Sequence, residues 1–319
     1  MSGWLRRNGW VAALAFAFAA LLVATKIIQP GFGASGLESL ARAALPFAFA
    51  TAAMAVVVIA GGIDLTVAAV MAVAGVTSAV LMRDWGVAGT VPAVIVVLAL
   101  GAVIGAINGA AIVLSRAPDI VVTLAMMYVW QGMALLILNG PGGTATPWLR
   151  EVILGGVPIP GLRWLPQAAV VLAFALALVW LPLKRSRPGL SLYAIGSDQT
   201  AAFRSGVAIG PTKVLAYAVS GLFAAMGGLT LTLSTGVGEP IPGPYLLAAV
   251  AAVVLGGVAL TGGVGGILGP IIAVLILRLL RLDLTLLSVD PNVTTIIEGT
   301  IMAVVVMIGG LLAIRRKRA

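Results

Sequence analysis

The segment Gly61-Gly62-Ile63-Asp64-Leu65-Thr66 places a carboxylate beside two glycines, and Asp64 is the only charged side chain between Ala43 and Met82. An ionised group in so apolar a stretch is expensive in a bilayer and must reach water, backbone donors or a partner. Three duties follow for Asp64. It can fix a turn by accepting backbone N–H bonds, pair with a base near an inner gate, or sit hydrated at an interface. A proton relay would need further buried ionisable groups, and the apolar segments offer almost none. The chain has neither cysteine nor histidine, which excludes disulfides, thiol chemistry, imidazole acid–base catalysis and the common zinc sites. No metal or other cofactor is implied, and no enzyme centre is visible. A GxxxxGK[ST] loop is also missing, so nucleotide phosphates find no P-loop here.

The elements that position Asp64 are membrane helices. Of the 319 residues, 61% are hydrophobic and only 9% charged, more apolar chain than a soluble core accommodates. The reading is all-α: a polytopic membrane protein forming a single transmembrane domain over residues 1–319, with about ten transmembrane segments. They fall near 9–28, 44–60, 66–82, 90–114, 119–138, 167–183, 213–234, 245–260, 266–282 and 293–313. The first, behind Arg6 and Arg7, is expected to remain as a helix and not to be cleaved as a signal. The second and third, and the eighth and ninth, are joined by such short glycine-rich links that they read as broken or re-entrant helices.

Charge orients the chain. With the N-terminus inside, the inner face collects Arg6, Arg7, Arg116, Lys184, Arg185, Arg187, Arg204, Lys213 and the terminal Arg315, Arg316, Lys317 and Arg318. The outer face holds Lys26, Arg42, Arg83, Arg150, Arg163, Arg278 and Arg281. The excess inside places both termini in the cytoplasm. It also accounts for the net charge of +9 without a nucleic-acid partner; the lipid bilayer is the surrounding expected. Asp64 then stands at the cytoplasmic end of its segment. Trp148 and Trp164 mark where the long outer loop 139–166 returns to the interface.

The long inner loop 184–212 contains a short helix. Ser197 or Asp198 suits its N-cap, Gln199, Thr200, Ala201, Ala202, Phe203, Arg204 and Ser205 its body, and Gly206 its left-handed end. Two turns are marginal alone, so a docking partner would stabilise them. Elsewhere, Gly101, Gly105 and Gly109, with Asn108, line one helix face and permit close packing. Gly256, Gly257, Gly262, Gly263, Gly265, Gly266 and Gly269 lie too densely for a plain helix and read as a broken one. Tyr128, Trp130, Gln131 and Asn139 are candidates for a substrate path through stacking and polar contacts. Asn292 and Glu298 are candidate cap or interface groups.

GGIDLT with Val67-Ala68 resembles the GGIDLSVG signature of bacterial ABC-importer permeases of the ribose/xylose/autoinducer-2 class. Three further blocks agree in order: Ile120-Val-Val-Thr123-Leu124 with Gly132 and Asn139-Gly140, Tyr193-Ala-Ile-Gly196 through Gly206, and Gly256 through Gly269. The resemblance spans about residues 45–312. It implies a translocation subunit of the bacterial inner membrane, importing a monosaccharide or related polyol by alternating access. It implies cytoplasmic ABC ATPase subunits docked on the 197–206 helix, a periplasmic or extracellular substrate-binding protein, and a second permease copy or paralogue. Gly61, Gly62, Asp64, Gly256, Gly257, Gly262 and Gly263 become signature and gating positions. The chain departs from the family at Ala68 and Gln131, and at Tyr245-Leu246-Leu247-Ala248, where two acids are usual. Those departures suit pairing with a different permease that retains the acids. A permease for nucleosides or branched-chain amino acids is the nearest alternative, and an ion-coupled secondary transporter the alternative of another class.

Overall fold

The structure is a computed structural model that describes residues 2–156 and 165–318; side chains at 2–8, 305–306 and 308–318 are also outside the description, as are the expected outer markers Arg163 and Trp164. Thirteen helices account for the described fold. In order they are α1 (Ser2–Ile28), α2 (Ala34–Ile59), α3 (Val67–Trp85), α4 (Thr90–Ser115), α5 (Asp119–Ile137) and α6 (Pro147–Leu154). There follow α7 (Gln167–Arg185), α8 (Arg187–Ser197), α9 (Gln199–Arg204), α10 (Ile209–Thr235), α11 (Tyr245–Leu255), α12 (Leu268–Leu286) and α13 (Pro291–Arg318). Extended pairing among the described residues is limited to isolated bridges, Gly142 with Gly238 and Gly156 with Pro166.

Among the described residues, seven helices (α1 to α5, α7 and α10) are long and apolar enough to cross a membrane. The expected eighth span is instead a half-helix. With 11 residues, α11 reaches about 16 Å, well short of a bilayer core of about 30 Å. Gly256 ends it, and an irregular stretch runs to α12, which carries Arg278, Arg281 and Asp283 within its length. Both glycine-rich links are therefore breaks between helices, as their composition suggests.

The core forms around α2, α3 and α10. Residues 44–59 of α2 are buried on every side, because each residue there is apolar or a lone threonine, and α2 continues through Pro46. α10 crosses α4 at the glycine ladder. A Cβ on Gly105 would lie 2.0 Å from the Tyr217 carbonyl oxygen, and one on Gly221 2.1 Å from the Gly101 carbonyl oxygen. Bare backbone on both helices sets that separation. On the far side α1 leans on α12, and the Trp10 indole N–H donates to the Leu255 carbonyl at 2.8 Å.

The ladder makes a measurable demand. Gly105→Ala forces α4 from α10 and is expected to destabilise the protein by about 1–3 kcal/mol. Gly132→Ala, where a Cβ meets nothing within 4 Å, is expected to leave stability unchanged or slightly raised. Thermal unfolding of both variants in the same detergent checks the contrast.

Candidate functional site

Asp64 lies in the turn between α2 and α3 and is only 2% exposed. The Thr66 N–H donates to its Oδ1 at 2.9 Å and the Thr66 hydroxyl at 2.5 Å, while Ser220 of α10 donates to Oδ2 at 2.8 Å. Thr66 Oγ1 in turn accepts from Asn108 Nδ2 of α4 at 2.9 Å. The Trp130 indole of α5 closes the chain on Asn108 Oδ1 at 2.8 Å. Each donor points at an acceptor, as desolvated polar groups require.

Of the three duties open to Asp64, a hydrated carboxylate at an interface does not fit this burial, whereas the bond from the Thr66 N–H is the turn-fixing one. Asn108 stands seven residues before the end of α4 and Ser220 eleven beyond the start of α10, about 10 and 16 Å along the helices. The turn folds back into the bundle because two layers of polar groups satisfy it there. The second layer is Asp119 with Lys213 and Tyr217. Lys213 Nζ donates to Asp119 Oδ1 at 3.0 Å, and the Tyr217 hydroxyl to Oδ2 at 3.1 Å. The Thr123 hydroxyl donates to the Ile63 carbonyl at 3.2 Å. Gly62 faces this layer: a Cβ there would sit 2.6 Å from Asp119 Oδ2. The base near Asp64 therefore pairs with Asp119 instead.

The loop 184–212 holds two helices where one was expected. Ser186 caps α8, accepting from the Gly189 N–H at 3.3 Å, and Pro188 follows in its first turn. Ser186-Arg187-Pro188 is a start signal that sequence reading passed over. Ser197 is consequently the last residue of α8 and not a cap, whereas Asp198 caps α9 by accepting from the N–H groups of Thr200 and Ala201 at 2.8 and 2.9 Å. At the other end Gly206 has φ +83°. The Val207 N–H returns to the Ala202 carbonyl and the Gly206 N–H to that of Phe203, both at 3.0 Å, a Schellman closure. Ala202 is buried; Gln199, Thr200, Ala201 and Arg204 are exposed, and Phe203 is 70% exposed.

The root of α9 is bound to the membrane turn by bare backbone. A Cβ on Gly196 would lie 2.0 Å from the Ile59 carbonyl oxygen and 2.5 Å from the Gly263 nitrogen. The Gly263 N–H donates to that same Ile59 carbonyl at 2.9 Å. Gly262, at φ +85°, rests against the Cα atoms of Gly61 and Gly196; a side chain there would be strained and would collide. The end of α2, the end of α8 and the stretch between α11 and α12 thus meet at one junction. The Tyr193 hydroxyl reinforces it by donating to the Gly265 carbonyl at 3.0 Å. Gly256 belongs to the neighbouring contact with Gly269, and Gly257 abuts Trp10.

The other candidates do not converge. Tyr128 is 66% exposed, Gln131 is half-buried and Asn139 exposed in the following connection, while Trp130 turns its indole toward α4. Asn292 is exposed, whereas Glu298 is buried between cations of α12. Among the described residues no cluster of three or more His, Cys, Asp or Glu could hold a metal. Asp119, Lys213, Tyr217 and Ser220 carry no local sequence signal of a site, since they meet their partners 94, 98 and 156 residues away.

Removing the carboxylate leaves Ser220 and Thr66 without their acceptor. Asp64→Ala is expected to lower stability by about 1–3 kcal/mol. Thr66→Val removes part of the same network, so the double variant is expected to cost less than the sum of the two. A thermal or denaturant double-mutant cycle tests this, and additive losses would separate the two residues.

A sequence profile described as "Branched-chain amino acid transport system / permease component" matches residues 36–306. The chain is 30% identical over 257 residues to the ribose import permease protein RbsC of Escherichia coli (strain K12), covering 80% of this chain and 79% of that protein. It is 32% identical over 264 residues to the ribose import permease protein RbsC of Bacillus subtilis (strain 168), covering 80% and 78%. With the autoinducer 2 import system permease protein LsrD of Escherichia coli (strain K12) it shares 28% over 328 residues, 98% of this chain and 95% of that one. No solved structure gives a significant match.

Proposed function

The chain belongs to the branched-chain amino acid transport system permease component family, and from that premise we propose that it is the membrane-spanning subunit of an ATP-driven importer for a monosaccharide or related polyol. In this reading it sits in the bacterial inner membrane with both termini inside. It pairs with a second copy or a paralogue, takes cargo from an external binding protein and carries ABC ATPases on its inner face.

One observation carries the reading: α9 is capped at both ends, exposes Phe203 and Arg204, and is rooted through Gly196 on the Ile59 carbonyl. Closure of two ATPases has to become a tilt of membrane helices, so a stiff element must be gripped by both. An isolated six-residue helix would melt; Asp198 and the Schellman closure oppose that. Motion of α9 reaches Gly196, passes by backbone contact to the end of α2 and the Gly262–Gly263 stretch, and arrives at the Asp64 turn. Asp64 then has a structural and gating duty, holding the turn to α10 while the helices tilt.

The family description favours a branched-chain amino acid as second cargo class; the ribose and autoinducer 2 relatives favour the hydroxyl-rich one. Uptake into proteoliposomes containing the permease, its ATPase and binding protein decides the matter. Labelled pentose or hexose should enter only with ATP inside the ATPase compartment and should persist when ion gradients are collapsed. Uptake driven by an ion gradient without ATP would contradict the proposal, and leucine in place of sugar would reassign the cargo. Ala201→Arg keeps a good helix former on the exposed face and is expected to abolish ATPase co-purification. Asp198→Ala removes a cap worth about 0.5–2 kcal/mol and should weaken that association less.

A further inference from the structure

Toward the end of the bundle opposite α9, four helices bring together groups that the sites above leave unused. The Arg278 guanidinium of α12 lies 3.9 Å above the centre of the Phe47 ring of α2. Phe47 also stacks on Tyr245, the first residue of half-helix α11, at 4.1 Å. Glu298 of α13 is 7% exposed, with Oε2 3.3 Å from Arg281 and Oε1 3.8 Å from Arg278. Oε1 therefore has a cation nearby but no hydrogen-bond donor among the described residues. Arg278 stands eight residues inside the end of α12 and Glu298 seven inside the start of α13, about 10–12 Å along either helix.

Ionisable groups at such depth mark pathways or sites more often than supports, and the orphan oxygen says that the set is incomplete. A structural ion pair would satisfy both carboxylate oxygens. What is lacking is a donor at Oε1, and what is offered is one aromatic face, guanidinium donors and a carboxylate acceptor. That combination fits a neutral ring bearing hydroxyls: its C–H face lies on the aromatic ring, its oxygens accept from Arg278, and an O–H donates to Glu298.

We propose that Phe47, Arg278 and Glu298 form a subsite for the sugar or polyol cargo on its way inward, an assignment that rests on the importer reading above. The subsite is closed in this conformation. The void beside it, lined by Phe47, Ala248, Val274, Leu277 and Arg278, has about 10 Å³, room for no more than a single water. Cargo enters when the guanidinium swings off the Phe47 face and the ring takes its place. The half-helix α11 supplies the mobility, since Tyr245 begins it and the glycine stretch ends it.

The test compares uptake of a neutral sugar with that of its analogue lacking one hydroxyl, in proteoliposomes holding permease, ATPases and saturating loaded binding protein, so that the binding protein's affinity drops out. Glu298→Gln is expected to slow the hydroxyl-bearing sugar about tenfold while the best-tolerated deoxy analogue changes by less than about twofold. Phe47→Leu should slow both, and Phe47→Tyr should restore them. Wild-type discrimination in Glu298→Gln, or an equal slowing of all sugars accompanied by a lower melting temperature, would overturn the subsite and assign a supporting ion pair. Wild-type permease that moves no sugar under ATP would instead overturn the importer reading, and the subsite with it.

Discussion

A carboxylate withdrawn from water inside an apolar bundle dictates much of what surrounds it. Asp64 cannot remain there without donors, and they come from Thr66 within its own turn and from Ser220 on α10. Because Thr66 is shared with Asn108, and Asn108 with Trp130, the same requirement ties α4 and α5 to the turn. A second polar layer, with Asp119 between Lys213 and Tyr217, lies beneath and shields the first. Directional bonds therefore fix relative helix positions that apolar packing alone leaves adjustable.

Glycine does the complementary work. Where side chains are absent, backbones touch, and a backbone contact has no rotamer through which displacement can dissipate. The α4–α10 crossing and the Gly61–Gly196–Gly262 junction are both of this type. The first holds the core, and the second joins a short extramembrane helix to the turn that Asp64 anchors. The half-helix α11 ends at the neighbouring Gly256–Gly269 contact and begins at Tyr245, stacked on Phe47.

Much of the fold is legible in local chemistry. The long apolar helices, the glycine ladder, the Asp198 cap and the Gly206 terminus all follow from rules that act within a few residues. What escaped acts across the chain. The apolar run from Tyr245 reads as a full span, yet it stops at Gly256 because the backbone there must turn to meet Pro270 and Gly269. The burial of Asp64 depends on Ser220, 156 residues away, which no local pattern connects to it. Trp130 reads as a stacking surface, but its indole N–H is committed to Asn108. Arg278 is counted with outer charges until the fold sets it on Phe47.

The claim that the coupling helix and the Asp64 turn move as one unit rests on Gly196 more than on any other residue. The most direct measurement is the amount of cargo moved per ATP hydrolysed by the Gly196→Ala permease, in proteoliposomes with its ATPase and binding protein. A methyl group would be placed 2.0 Å from the Ile59 carbonyl oxygen, prising α8 from α2 while leaving the exposed face of α9 intact. ATP hydrolysis should continue with ATPases still bound, and uptake per ATP should fall by about tenfold or more, the weight of a lost coupling free energy of about 1.4 kcal/mol. An unchanged ratio of cargo to ATP would contradict the account.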